Sequence, residues 1–161
     1  MVEISDTVST AFEIVGIGMI PTSARGIKCR YQPIENGQIH YTVNAVAVST
    51  ARPQFNLFEI TLSCEDVWPP GFVSLTRGQA VTIYGDDSFI QLASLGQVRP
   101  SADGVGVVVY YDANMAVLPS SVGATWMRYR PVMTCLVADF SIESDEWGGL
   151  VSWSHKFKET R

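Results

Sequence analysis

Alternation of apolar and polar side chains runs through this chain from end to end, and helical spacing does not. From Leu150 to Lys158, Val151, Trp153, His155 and Phe157 fall on one side while Ser152, Ser154, Lys156 and Lys158 fall on the other. That is the period-two signature of a strand with one buried face. Phe58, Ile60 and Leu62 alternate with Glu59, Thr61 and Ser63 in the same way. This strand has to stop before Trp68-Pro69-Pro70-Gly71, because proline donates no ladder hydrogen bond. Ile39 to Ser49 also alternates, with Ile39, Tyr41, Val43, Ala45 and Ala47 opposed to His40, Thr42, Asn44, Val46 and Val48. Glu35-Asn36-Gly37 ahead of it is a turn signal, and Gly26 to Gln32 is a strand candidate, so Arg30 to Val48 reads as a β-hairpin.

Further strands are expected at Ala11 to Ile20, where Gly16 and Gly18 suggest a bulge, and at Val105 to Tyr111, a run apolar enough to be buried on both faces. Ala80 to Tyr84 and Ser88 to Leu92 flank Gly85-Asp86-Asp87 as a second short hairpin, and Met127 to Phe140 is a strand region broken by Pro131. The only helical expectation is a single turn at Asp112 to Val117. The predicted fold is therefore all-β and mainly antiparallel, a single-domain β-sandwich or β-barrel with roughly eight to ten strands and little helix. Residues 1–161 are read as one β-rich domain, with about the first ten as an extended arm.

Composition narrows the function classes. With 47% hydrophobic residues the chain has the material for a core, and a formal net charge of -5 argues against binding nucleic acid by neutralising phosphates. No apolar run reaches the length of a membrane span, and the start of the chain lacks the basic region of a signal peptide. Cys29, Cys64 and Cys135 are odd in number and widely spaced, which suits small buried hydrophobes in a reducing compartment.

Candidate chemistry is sparse. His40 and His155 sit inside strands without metal-ligand neighbours, and nucleophile-elbow, Walker and H-E-x-x-H motifs are absent. Gly85-Asp86-Asp87 is better read as a turn than as a metal triplet, and Glu143, Asp145 and Glu146 as a solvated loop than as a Ca²⁺ site. A glycosidase would need two opposed carboxylates, for which Asp86, Asp87, Asp145 and Glu146 are the only obvious material. The expectation is no catalytic residue, no metal and no cofactor.

The aromatic residues carry more. Of 4 tryptophans, Trp153 falls on the buried side of its strand, whereas Trp68 and Trp147 lie in loops bordered by proline or glycine. A large aromatic there either plugs the end of its own sandwich or anchors an interface. The candidate interface comprises Trp68, Pro69, Arg128, Arg130, Asp145, Glu146 and Trp147, whose opposite charges would set the register of neighbouring copies. The loop from Glu143 to Gly149 is longer than a turn needs and is expected at a subunit contact.

A resemblance adds an address. Pro21-Thr22-Ser23-Ala24-Arg25-Gly26-Ile27, Tyr41-Thr42-Val43-Asn44-Ala45, Pro53-Gln54-Phe55 and Ile60-Thr61-Leu62-Ser63-Cys64 look like a family of tailed-bacteriophage virion proteins. Tyr129-Arg130-Pro131-Val132-Met133, Asp145-Glu146-Trp147-Gly148-Gly149 and Val151-Ser152-Trp153-Ser154 are similar to the ending of the same family. The chain departs from that pattern around Trp68 to Phe72 and at Lys156 to Glu159. The resemblance implies a virion structural component, assembled in the cytoplasm of a bacterial host. Its partners would be copies of itself and other virion proteins, with no sequence-specific nucleic acid and no membrane. A tail or neck protein forming a ring is the leading expectation; a capsid decoration protein and a receptor-binding module are the alternatives.

Overall fold

The structure is a computed structural model that describes residues 13–15, 25–52, 56–68, 71–85, 89–96, 99–101, 108–145 and 147–160. Its strands, in chain order, are β1 (Glu13–Ile14), β2 (Lys28–Pro33), β3 (Ile39–Tyr41), β4 (Ala47–Ser49), β5 (Phe58–Asp66), β6 (Ala80–Tyr84), β7 (Phe89–Leu92), β8 (Val109–Tyr111), β9 (Val117–Leu118), β10 (Trp126–Tyr129), β11 (Val132–Ser144) and β12 (Val151–Glu159). Two short 3-10 turns, Gly71–Ser74 and Ala93–Leu95, are the only helical pieces among the described residues. The fold is all-β, and every strand pairing is antiparallel.

The strand with the cleanest alternation, β12, lies in the middle of a six-stranded sheet ordered β1-β6-β11-β12-β5-β2. Trp153, His155 and Phe157 point into the core, as their spacing predicts, and meet Ile60, Leu62 and Cys64 of β5, Ile83 of β6, and Met133, Cys135 and Val137 of β11. A four-stranded sheet ordered β7-β10-β8-β9 forms a second unit. The two sheets meet through aromatic edges: Phe89 of β7 stands 4.9 Å from the ring of Tyr31 and 5.7 Å from that of Phe58, both T-shaped. Such pairs add about 0.5–1.5 kcal/mol beyond their buried area.

The chain changes sheets at Gly85 and at Arg130-Pro131, and these two corners are tied together. Gly85 donates its N–H to the Pro131 carbonyl at 2.8 Å and accepts from Arg130 Nε at 2.6 Å. A Cβ on Gly85 would collide with the Pro131 ring and the Tyr31 hydroxyl, so glycine is required by close approach. This corrects the expectation of a hairpin around Gly85-Asp86-Asp87: β6 pairs with β11, whereas β7 pairs with β10 in the other sheet. Pro131 does break its strand region, into β10 and β11.

Two other turns differ from expectation. Arg30 to Val48 is not one hairpin, because β2 pairs with β5 along its whole length. Ile39–Tyr41 instead folds back on Ala47–Ser49 through a turn in which Thr42 Oγ1 accepts the Val46 N–H and Ala45 takes φ +57°. Asp112 to Val117 is a hairpin turn joining β8 and β9, with Asp112 Oδ1 accepting the N–H groups of Asn114 and Ala116, and not a helical turn. The extended arm expected over 1–10 and the strand expectations at Ala11, Phe12, 16–20, Ser88 and 105–107 lie outside the described residues, as do Asp86 and Asp87.

Two ion pairs lie at opposite ends of the six-stranded sheet. Arg99 donates to both oxygens of Glu159, at 2.7 and 2.8 Å, stacks over the Phe58 ring at 4.4 Å, and is buried with its partner. Asp66, at the end of β5, accepts from the backbone N–H, Nε and Nη2 of Arg25 and from the Val67 N–H. Hydrogen bonding from the Arg25 guanidinium holds the Asp66 carboxyl down at about 2.

Candidate assembly surface

The end of the six-stranded sheet that carries Asp66 gathers part of the expected interface. Val151 pairs with Asp66, so the start of β12, the turn before it and the residues after β5 lie at one end of the sheet. Trp68, two residues beyond Asp66, is 60% exposed, and Trp147 in the turn is 97% exposed. Neither caps its own sandwich.

The turn explains itself without Trp147. Asp145 donates its N–H to the Leu150 carbonyl, Asp145 Oδ1 accepts the Trp147 N–H at 3.0 Å, and Gly149 donates to the Asp145 carbonyl. Gly149 takes φ +64°, and a Cβ on Gly148 would run into the Asp145 carboxylate. The local chemistry thus falls on Asp145, Gly148 and Gly149. The Trp147 side chain is left at the tip in solvent, where an isolated apolar ring of that size gains nothing from the fold.

Below the turn, β11 and β12 run past the core. By pairing with His155 and Trp153, Phe140 and Ile142 belong to the inward face, yet both remain partly exposed, as does Leu150. Phe140 stacks on His155, and His155 on Phe157 at 4.3 Å with the rings 10° apart. Burial pushes the His155 imidazole down to about 4, which suits a neutral ring stacked in a core and not a proton shuttle at neutral pH. Burial likewise pushes the Cys135 thiol up to about 12 and raises that of Cys64, so these sulfurs are packing groups. None of the three cysteines is in a disulfide, and Cys29 is half-buried.

The arginines lie elsewhere. β11 separates Arg130 from Asp145 by about 40 Å of extended chain at roughly 3.3 Å per residue. Arg130 is buried, with its guanidinium on the Gly85 carbonyl and 5.6 Å from the Tyr84 ring, so its charge is engaged within the chain. Arg128 lies on the outward face of the four-stranded sheet, with its guanidinium 5.9 Å from the Tyr111 ring. Pro69 and Glu146 lie outside the described residues.

Two surfaces were not singled out by sequence. Across the four-stranded sheet, Leu92, Trp126, Tyr111 and Val117 are successive cross-strand partners, a continuous apolar row on the face opposite Met127 and Tyr129. Ile90, Arg128 and Val109 form the row beside it. Ile90, Leu92 and Val117 are exposed. The second surface is the β3–β4 hairpin, which among the described residues pairs only with itself, and where Tyr41 is 75% and Val43 105% exposed. The available signal was the absence of any Asp, Glu, Lys or Arg between Glu35 and Arg52.

Among the described residues no cluster of His, Cys, Asp or Glu could hold a metal ion, and no helix is long and apolar enough to cross a membrane. A shallow trough of about 520 Å³ lies on the outer face of the six-stranded sheet, lined among others by Lys28, Ser63, Glu65, Ser141, Glu143 and Ser154. Within it the Ser141 and Ser154 hydroxyls bond one another at 2.8 Å. Fold and surface together define an antiparallel β protein of three sheets among the described residues, with several exposed apolar surfaces. Comparison with family models, with curated proteins and with solved structures gives no match.

Proposed function

We propose that this chain is a structural subunit of a tailed-phage virion, in its tail or neck, and that it acts by assembling with copies of itself into a ring. The observation that carries assembly is Trp147, 97% exposed on a turn whose geometry does not need it. Buried tryptophans are the residues most enriched among interface hot spots, whereas an exposed one costs solubility without return. The distribution of exposed apolar groups supports a ring. Trp68 and Trp147 lie at one end of the six-stranded sheet, and Leu92 and Val117 lie on a different sheet. Two unlike patches on one chain suit a heterologous contact, which makes a ring where its rotation closes. The address in a virion rests on the ordered motifs from Pro21 to Ile27 and from Tyr129 to Ser154.

The test is sedimentation velocity of the purified chain over a wide concentration range, with electron microscopy of the largest species. A discrete species of fixed stoichiometry, closed as a ring, is the expected result. Monomers at every concentration, with no binding to other virion proteins, would overturn the reading. A receptor-binding module would use the same tryptophans differently: substituting Trp68 and Trp147 would weaken adsorption of the particle to its host and leave the particle's assembly intact.

A further inference from the structure

The outward face of the six-stranded sheet is built differently from the apolar surfaces, because strand register sets polar side chains there in rows. Lys28, Ser63, Ser154 and Ser141 are successive cross-strand partners on β2, β5, β12 and β11. In the next row Ser152 stands between Glu65 and Glu143. These side chains alternate with the buried Leu62, Cys64, Trp153 and His155, and all of them line the trough of about 520 Å³. The serines are short and Lys28, Glu65 and Glu143 are long, so the concavity lies over the serines.

Most of the polar groups in the trough are not engaged by the fold. Ser141 and Ser154 bond one another, whereas among the described residues the Ser63 and Ser152 hydroxyls have no hydrogen-bond partner and Lys28, Glu65 and Glu143 enter no ion pair. The backbone beneath them is occupied, since β12 is hydrogen-bonded to β5 on one side and to β11 on the other, and it offers an extended peptide nothing to pair with. An anion would face Glu65 and Glu143. A metal ion finds no set of three ligand side chains among the described residues. An apolar molecule finds no apolar side chain turned toward it, because Cys64 and Trp153 line the trough with their side chains packed in the core. What is on offer is two carboxylate acceptors, one ammonium donor and hydroxyls that serve as either. A neutral polyhydroxylated molecule matches that set, because each of its hydroxyls can donate to a carboxylate or accept from an ammonium, and such charge-assisted bonds are roughly twice as strong as neutral ones.

We propose that this trough is a binding site for a neutral oligosaccharide. Glu65 and Glu143 accept hydrogen bonds from sugar hydroxyls, Lys28 donates to a sugar oxygen at the β2 side, and the Ser63, Ser152 and Ser154 hydroxyls bond the rings between them. The row from Lys28 to Ser141 crosses four strands, roughly 14 Å at about 4.8 Å between strands, which is longer than one sugar ring and calls for several linked ones. Strands in the interior of a sheet hold these groups in fixed positions. The site goes beyond the assembly reading and does not rest on it: Trp68, Trp147, Leu92 and Val117 are not among the residues that line the trough.

Saturation-transfer NMR of the full chain tests the site, because it reads the ligand and works whatever the size of the protein particle. The probes are maltotriose, cellotriose, mannotriose and the trimer of N-acetylglucosamine, each beside its monosaccharide, with inorganic phosphate as a competitor. At least one trisaccharide is expected to bind saturably, more tightly than its monosaccharide and without displacement by phosphate. Glu65→Gln and Glu143→Gln should each weaken that binding about tenfold, the effect of losing a hydrogen bond to a charged group. Ser63→Leu, which fills the trough from an outward position, should abolish it, and Lys158→Ala, on the same face but outside the trough, should leave it unchanged. Circular dichroism checks β structure in each variant, and the two glutamine variants decide the matter if Ser63→Leu does not fold. No saturable binding by any probe, displacement by phosphate, or glutamine variants that bind like the wild type would overturn the site. Monosaccharides that bind as tightly as their trimers would overturn the oligosaccharide. Each of these results leaves the assembly reading as it stands.

Discussion

β12 and the β3–β4 hairpin carry the same sequence pattern and have opposite fates. In β12 the alternating side chains Trp153, His155 and Phe157 are buried on the inward face of the six-stranded sheet. Between Ile39 and Ser49 an equally regular alternation folds back on itself and leaves both faces in solvent. Alternation reports that a segment can present an apolar face; what covers that face is decided by the rest of the molecule. For β12 the cover is on the same chain; the hairpin's side chains stay exposed.

The contrast can be broken first at the core. Phe157→Ala should destabilise the monomer by about 4 kcal/mol, the range for truncating a fully buried phenylalanine, as read by chemical denaturation. Removing Glu159 as Glu159→Ala should cost about 3 kcal/mol, because Arg99 would be left buried without its counter-charge.

A smaller and pH-dependent effect separates two buried groups. His155 is held near 4 against an ordinary 6.5, so between those values the unfolded chain binds more protons and stability must fall as pH is lowered from about 6.5 to 4. Asp66 is held near 2 against 3.8, so its contribution is intact above about 4 and is lost as pH falls through 2. Denaturant midpoints measured against pH should show both windows, with His155→Phe removing the upper and Asp66→Asn the lower. The smallest effect should come from the β3–β4 hairpin: Tyr41→Ala ought to change monomer stability by no more than about 0.5 kcal/mol, because the side chain is 75% exposed. A loss of several kcal/mol at Tyr41 would place the hairpin in the folding core and dissolve the contrast.

Much of the fold was legible because its signals are local. The faces of β12, the end of β5 before Trp68 and the break at Pro131 follow from side-chain period and from proline's missing donor. The turn at Gly85 was not legible, since glycine there answers to Pro131 and the Tyr31 hydroxyl, partners 46 and 54 positions away along the sequence. The Arg99–Glu159 pair, 60 residues apart, left no local trace either. At the candidate surface, the loop aromatics Trp68 and Trp147 were readable from their proline and glycine neighbours, and both are exposed. Arg130 was not, because only the folded corner shows its guanidinium turned inward onto Gly85. The apolar row from Leu92 to Val117 needed the strand register, which sequence spacing does not supply.

The central claim is that exposed aromatic surface in this chain serves contact between copies, and Trp147→Ala tests it most directly. Sedimentation velocity of the variant and the wild type at matched concentrations, paired with their unfolding midpoints, separates folding from assembly. The account predicts an unchanged midpoint and assembly weakened by about 2 kcal/mol or more, the size of an aromatic hot spot. A variant that assembles like the wild type, or one whose monomer unfolds, would contradict it.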